Sequence, residues 1–223
     1  ASELLTRAFH LAESGTPGPV AIVMPEDIFD QKTEINALGP TAKVSASPRA
    51  RDIDTLVNMI SASQRPLVLV GGALLAEAVS EKDVLPKLNT LAETYALPIC
   101  PTHRRPHLFD SKHPNYGGYM GIRVPGPLID EMKKADLLIA LGERLTDTVS
   151  QSYTFPTAPE PQIPLVHVWP DANELGRVWH PMLGIPASPK EDIEALLDRK
   201  RPEIANERQT WIEKLNATHI KLT

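Results

Sequence analysis

Cysteine is nearly absent: Cys100 is the only one in 223 residues. A lone cysteine rules out an internal disulfide and a thiolate metal cage. It stands in Leu97-Pro98-Ile99-Cys100-Pro101, a strand-like run, and reads as a small buried hydrophobe rather than a nucleophile. It also fits a reducing compartment, so the expected location is cytoplasmic. No basic block exists and the net charge is −5, which argues against nucleic acid as a partner. No apolar run approaches the length of a membrane span. The N-terminus lacks the basic-then-apolar layout of a signal peptide. Several chemistry-bearing motifs are missing too. There is no Gly-x-Gly-x-x-Gly after a first strand, no Walker phosphate loop and no His-Glu-x-x-His. No Ser-His-Asp arrangement and no paired loop carboxylates stand out.

What is present is an ordinary globular composition, 42% hydrophobic and 23% charged. It is punctuated by 22 prolines that crowd into 98–127 and 156–189. Proline there fixes loops and ends helices. The organising stretch is Arg65-Pro66-Leu67-Val68-Leu69-Val70-Gly71-Gly72. A short apolar run bounded by Pro and Gly predicts a strand buried on both faces, as in a parallel sheet covered by helices. The glycine pair turns the chain at the strand's carboxyl end, where open α/β sheets bind ligands.

The same grammar recurs along the chain. Residues 2–14 predict an amphipathic helix, capped by Ser2 and ended by Gly15, and residues 19–25 a buried strand. This pair is too small to hold a core alone. It looks like the tail of a preceding domain, so the chain is expected to be a fragment of a longer protein. Residues 30–48 read as a linker with a possible short edge strand near Lys43-Val44. A helix follows from Pro48 to about 62. One kinked helix or two short ones cover 73–95. Further strands are predicted at 97–100, 136–142, 165–169 and 183–187. Pro125 opens a helix, and Ser188 with Glu191 forms a capping box for another. Residues 200–223 look like a partly exposed or disordered connector. Strands alternating with helices give an α/β fold: a Rossmann-like, doubly wound parallel sheet of about six strands with helices on both faces. The expected divisions are 1–29, 30–48, 49–199 and 200–223.

Three loops carry candidate chemistry. His103-Arg104-Arg105-Pro106-His107 with His113 could hold an anion or, less readily, a metal; a solvated loop or subunit contact is the favoured alternative. Tyr116-Gly117-Gly118-Tyr119-Met120-Gly121 brings backbone close to a ligand or to an adjoining domain. In Gly142-Glu143-Arg144-Leu145-Thr146-Asp147, Arg144 could meet a phosphate or carboxylate, or simply pair with Asp147.

The order of these segments resembles one family. Gly15-Thr16-Pro17-Gly18-Pro19-Val20-Ala21-Ile22-Val23-Met24-Pro25-Glu26-Asp27 is similar to the end of the pyrimidine-binding domain of thiamine-diphosphate-dependent enzymes. Arg65–Gly72, Tyr116–Gly121, Ala135–Asp147 and Val166–Arg177 follow in the order of that family's central domain, acetolactate-synthase-like branch. The resemblance implies a mostly structural central domain, inert by itself. It also implies a parent that uses thiamine diphosphate and Mg²⁺ to make or break carbon–carbon bonds beside a carbonyl. The missing pyrimidine and diphosphate domains would be its partners, in a homo-oligomer. The activating glutamate of the pyrimidine domain and the Gly-Asp-Gly…Asn motif of the third domain are absent, so the fragment itself is expected to hold no cofactor. Central domains of this kind can carry FAD or an adenine nucleotide such as ADP. Transferred here, that role would fall to Gly71, Gly72, Gly118, Gly121, Arg144, Asp147, Asp171 and Glu174. Val168-Trp169-Pro170-Asp171 replaces the family's Ile-Asp-Ile-Asp run, and Leu145-Thr146-Asp147 retains one of its two usual loop acids. Both departures weaken the flavin alternative.

Overall fold

The structure is a computed structural model. It describes all residues except 1, 33, 35–38, 40–43, 77–80, 202, 205 and 223, and the side chain of 206. The chain divides into two compact units, Ala1–Ser45 and Ala46–Thr223.

The first unit holds helix α1 (Ser2–Glu13) and a single 3₁₀ turn, Glu26–Ile28. Gly15 ends α1 at φ +57°, the left-handed conformation glycine tolerates best. The strand expected over 19–25 does not form; those residues are irregular, with Val20, Ile22, Val23 and Met24 exposed. An extended segment becomes a strand only when another backbone satisfies its amides and carbonyls, and no described strand pairs with this one. Lys43, half of the suggested edge strand, lies outside the described residues.

The second unit is built on five parallel strands: β1 (Pro66–Val70), β2 (Ile99–Pro101), β3 (Leu137–Leu141), β4 (Leu165–Trp169) and β5 (Leu183–Pro186). Their order is β2-β1-β3-β4-β5. About six were expected; five occur among the described residues. The register sets Leu67 beside Leu138, and Val68 between Ile99 and Ile139. Every residue of β1, β3 and β4 is buried. Side chains alternate between two cores, as the pleat requires. Val68, Val70, Ile139 and Val166 face a core shared with α2 (Ala50–Ala62), α3 (Glu81–Thr94) and α5 (Pro189–Leu197). Leu67, Leu69, Leu138 and Leu165 face a second core shared with α4 (Gly126–Met132) and α6 (Asn206–Leu222). The sheet is therefore doubly wound. A 3₁₀ turn over Gly72–Leu75 precedes α3, and 77–80, where a longer helix was suggested, lie outside the described residues.

The tail expected as a partly exposed or disordered connector is partly exposed but ordered, as helix α6. Trp211, Ile212 and Leu215 are buried, and so is Arg208. The seven-residue α4 leaves much of the second face open, and α6 covers it. Arg208 makes this possible. Its guanidinium donates to the carbonyl of Tyr95, at 2.9 Å, and to those of Ile60 and Ser63. These carbonyls end α3 and α2, where helices leave acceptors unpaired. Trp211 Nε1 donates to the Pro66 carbonyl at 2.8 Å, at the start of β1. Asp136 secures the same edge by accepting from Ser63 Oγ and from the backbone N–H of Gln64 and Arg65.

The capping box at α5 does not form. Ser188 stands at the N-cap without a side-chain bond. Glu191 instead accepts from Ser47 Oγ at 3.3 Å and lies beside Lys190. Among the described residues, Ser188 Oγ and both carboxylate oxygens of Asp192 find no hydrogen-bond partner.

Two outcomes are expected. Arg208→Met should lower unfolding free energy by about 2–5 kcal/mol, since it leaves buried carbonyls unsatisfied. Arg208→Lys should not restore it, because a compact ammonium lacks the planar spread by which two guanidinium nitrogens reach carbonyls at the ends of two helices. Denaturant unfolding followed by tryptophan fluorescence reads both, and a loss below about 1 kcal/mol for the Met variant would remove Arg208 as the anchor. The second concerns Asp192, whose carboxyl burial pushes up to about 7. Unfolded Asp titrates near ~3.9. The folded state thus holds this proton more tightly, so the stability it contributes is complete below about pH 4 and is lost as pH rises to about 7. Asp192→Asn should flatten that slope and stabilise the protein above neutrality by up to about 4 kcal/mol, measured by unfolding across pH.

Candidate functional site

The carboxyl edge of the sheet gathers most of the residues with chemical potential. The strand order changes direction between β1 and β3, so the ends of these two strands form the topological switch point. Gly71 and Gly72 follow β1, Thr102 follows β2, Gly142 and Glu143 follow β3, and Asp171 and Glu174 follow β4.

Gly71 packs directly on the end of β3. A Cβ placed there would stand 2.4 Å from the Gly142 carbonyl oxygen and 2.7 Å from Glu143 Oε2. Its N–H donates to the Leu141 carbonyl at 3.0 Å, extending the sheet by one residue. The next amides turn inward as well: Ala73 N–H bonds the Gly142 carbonyl at 3.1 Å and Leu74 N–H the Gly71 carbonyl at 3.3 Å. A Cβ on Gly72 would meet the Arg105 guanidinium, with Nε at 2.7 Å. So one glycine is demanded by backbone packing and the other by an overlying side chain.

Glu143 went unremarked in the sequence except as part of its loop. It is 8% exposed. Its carboxylate accepts from Thr102 Oγ1 and, at 3.1 Å, from the Leu145 N–H. Burial pushes this carboxyl above its ordinary range; the bonds from Thr102 and the loop amides and the nearby Arg105 charge oppose that shift. Behind it, buried His167 donates Nε2–H to the Glu143 carbonyl at 2.9 Å. Burial holds the His167 pKa below its usual value, so the ring is kept neutral. Leu145, at φ +57°, turns the loop so that its amide faces back onto the carboxylate.

The other candidate residues have local partners. Arg144 pairs with Glu174 at 3.0 Å, and Arg177 joins the same carboxylate at 3.3 Å. Asp147, which spacing paired with Arg144, accepts from the Thr148 N–H at 2.7 Å instead. Asp171 accepts from the N–H and side-chain amide of Asn173, a local turn device. Gly118, at φ +113°, lies where a Cβ would strike Leu128 of α4, 2.8 Å away. At Gly121 a Cβ would strike the Tyr119 ring, and its carbonyl accepts from Gln151 Nε2 at 2.9 Å. In the histidine-rich loop, His113 accepts from the Asn115 N–H and meets Glu93, which are structural tasks. Among the described residues, no group of three or more His, Cys, Asp or Glu could hold a metal ion, and no helix is long and apolar enough to cross a membrane.

Comparison with known proteins decides the family. The thiamine pyrophosphate enzyme central domain matches residues 53–196. The chain belongs to this family. The match spans the sheet from α2 to α5. Over 220 residues the chain is 29% identical to a probable acetolactate synthase large subunit of Methanocaldococcus jannaschii, covering 96% of this chain and 36% of that protein. It is 28% identical over 222 residues to the acetolactate synthase large subunit of Corynebacterium glutamicum, covering 96% and 34% respectively. With the acetolactate synthase isozyme 1 large subunit of Escherichia coli K12 it shares 29% over 213 residues, or 94% and 35%. The chain thus spans about a third of the length of the curated relatives it matches. The resemblance read from five ordered motifs is borne out: this is an acetolactate-synthase-like central domain. The flavin or adenine-nucleotide alternative gains no support. At the switch point of this central domain a buried carboxylate stands beside Gly71, and the Gly71, Ala73 and Leu74 amides already bond carbonyls.

Gly71→Ala should destabilise the protein by about 2–4 kcal/mol, because backbone of β3 blocks the added methyl. Gly72→Ala should cost under about 1.5 kcal/mol, since Arg105 can swing aside. Thermal unfolding of both variants checks the contrast, and equal losses would contradict this account of the turn.

Proposed function

We propose that this chain is the structural middle of a longer thiamine-diphosphate-dependent enzyme and is catalytically inert by itself. The observation that carries this is the family match over the Rossmann-like unit, joined to relatives roughly three times as long. Under this reading residues 1–29 close a preceding pyrimidine-binding domain, 30–48 link it to the central domain at 49–199, and 200–223 lead onward. The exposed apolar residues of α1, Leu4, Leu5, Phe9 and Leu11, suit a helix that packs against a domain outside this segment. The parent would make or break a carbon–carbon bond beside a carbonyl, as the names of the relatives suggest.

Thiamine diphosphate supplies the carbanion chemistry in such an enzyme. Its magnesium and diphosphate motif and its activating glutamate would come from the flanking domains, because this chain carries neither pattern. What this chain's residues do is hold shape. The two-faced core fixes the sheet, Arg208 and Trp211 lock its amino edge, and Glu143 and Arg144 fix the carboxyl-edge loops. A cytoplasmic homo-oligomer completes the proposal, supported by the single buried cysteine and the family's habit.

The test compares the full-length gene product with this chain alone. Full-length protein should form acetolactate from a 2-oxo acid, dependent on added thiamine diphosphate and Mg²⁺. The isolated chain should be folded by circular dichroism yet inactive and unresponsive to thiamine diphosphate in calorimetry. Turnover by the isolated chain, or full-length activity indifferent to thiamine diphosphate, would overturn the reading.

A further inference from the structure

The switch point between β1 and β3 is where an open parallel sheet offers a ligand crevice. Here the protein fills that crevice with its own groups. Glu143 leaves β3 and turns back, so that Oε2 lies 2.7 Å from the position a Gly71 Cβ would take. That oxygen is bonded by Thr102 at the end of β2, and Oε1 by the Leu145 N–H. One carboxylate therefore touches the ends of three neighbouring strands, β2, β1 and β3. Arg105 lies over the adjoining Gly72, with Nη2 3.0 Å and Nε 2.7 Å from its Cβ position. The amides of Gly71, Ala73 and Leu74, which could cradle a phosphate, already bond carbonyls.

We propose that Glu143 is an internal anion that occupies the switch-point crevice in place of a phosphate group, so that this central domain excludes FAD, ADP and other diphosphates there. The surroundings of Glu143 have the chemistry of an anion site: a hydroxyl and a backbone N–H donate to it, and the Arg105 charge is nearby. A second anion cannot enter beside a buried carboxylate without repulsion in a poorly solvated setting. Loss of the carboxylate frees the Thr102 hydroxyl and the Leu145 amide, beside the Arg105 charge, to meet an added anion. The inference stands on this geometry alone and does not depend on whether the parent uses thiamine diphosphate.

Isothermal titration of the protein with sodium pyrophosphate, ADP and FAD tests it, with melting temperature as a second readout. Wild-type protein should show no binding heat and no melting shift with any of the three. Glu143→Ala should bind pyrophosphate at least about tenfold more tightly than wild type, and Glu143→Ala with Arg105→Ala should lose that gain. Glu143→Gln keeps the volume of the plug and should remain closed. If Glu143→Ala does not fold by near-UV circular dichroism, Glu143→Ser, which retains an acceptor for the Leu145 amide, takes its place. Binding of FAD or ADP by wild-type protein that disappears in Arg105→Ala would overturn the proposal. So would a folded Ala or Ser variant with no pyrophosphate gain.

Discussion

One guanidinium settles whether this fold closes. A parallel sheet buried on both faces needs helices on both, and each fully buried aliphatic side chain contributes about 1.5–3 kcal/mol relative to exposure. One face receives three helices, while the other has the short α4 and depends on α6 for the rest. Yet α6 is mostly polar, and its apolar contribution comes from Trp211, Ile212 and Leu215. Arg208 offsets this deficit by donating to carbonyls at the ends of α2 and α3, of which that of Ile60 also accepts from the Ser63 N–H. The last helix in the sequence thereby completes the first and second helices of the sheet's opposite layer.

This arrangement divides the labour between the two edges of the sheet. The amino edge is locked by Asp136, Arg208 and Trp211, all bonding backbone. Near it, Glu131 lies between Lys134 and Lys214 at 2.7 and 2.8 Å. Burial alone would raise the Glu131 carboxyl, but the two ammonium groups outweigh it and hold it below its usual range. The carboxyl edge, where ligands enter comparable sheets, is closed by Glu143. Both edges are thus tied by side chains.

The strands were legible because each is a short, mostly apolar run with proline or glycine at one or both ends. A parallel, two-faced sheet follows from that pattern almost alone. The N-terminal run 19–25 carries the same signature and still forms no strand, since pattern specifies an apolar extended segment but not its partner. Ser188 and Glu191 have the spacing of a capping box, but spacing cannot say that Lys190 and Ser47 compete for the glutamate. The buried side of the tail beyond 200 is hidden in the sequence for a related reason. Its buried anchor is an arginine, and nothing local distinguishes an arginine bound for three distant carbonyls from one bound for water.

The site shows the same limit at closer range. Gly71-Gly72 signals a close approach, and the approach is real, but what comes close is the protein itself. In sequence a glycine that admits a phosphate and a glycine that admits a neighbouring strand are identical. The residue that tells them apart is Glu143, seventy-two positions along the chain from Gly71. It sits between a glycine and an arginine in a loop whose sequence draws the eye to Arg144 and Asp147 instead. Only the register of β1 against β3, with Val70 opposite Leu141, brings Glu143 to Gly71. A glutamate at that register point, held by a threonine from the next strand, changes the meaning of the glycine turn from cradle to closure. Charge placed inside a ligand crevice is costly unless it is bonded, and here every bond it needs is supplied by the strands that form the crevice.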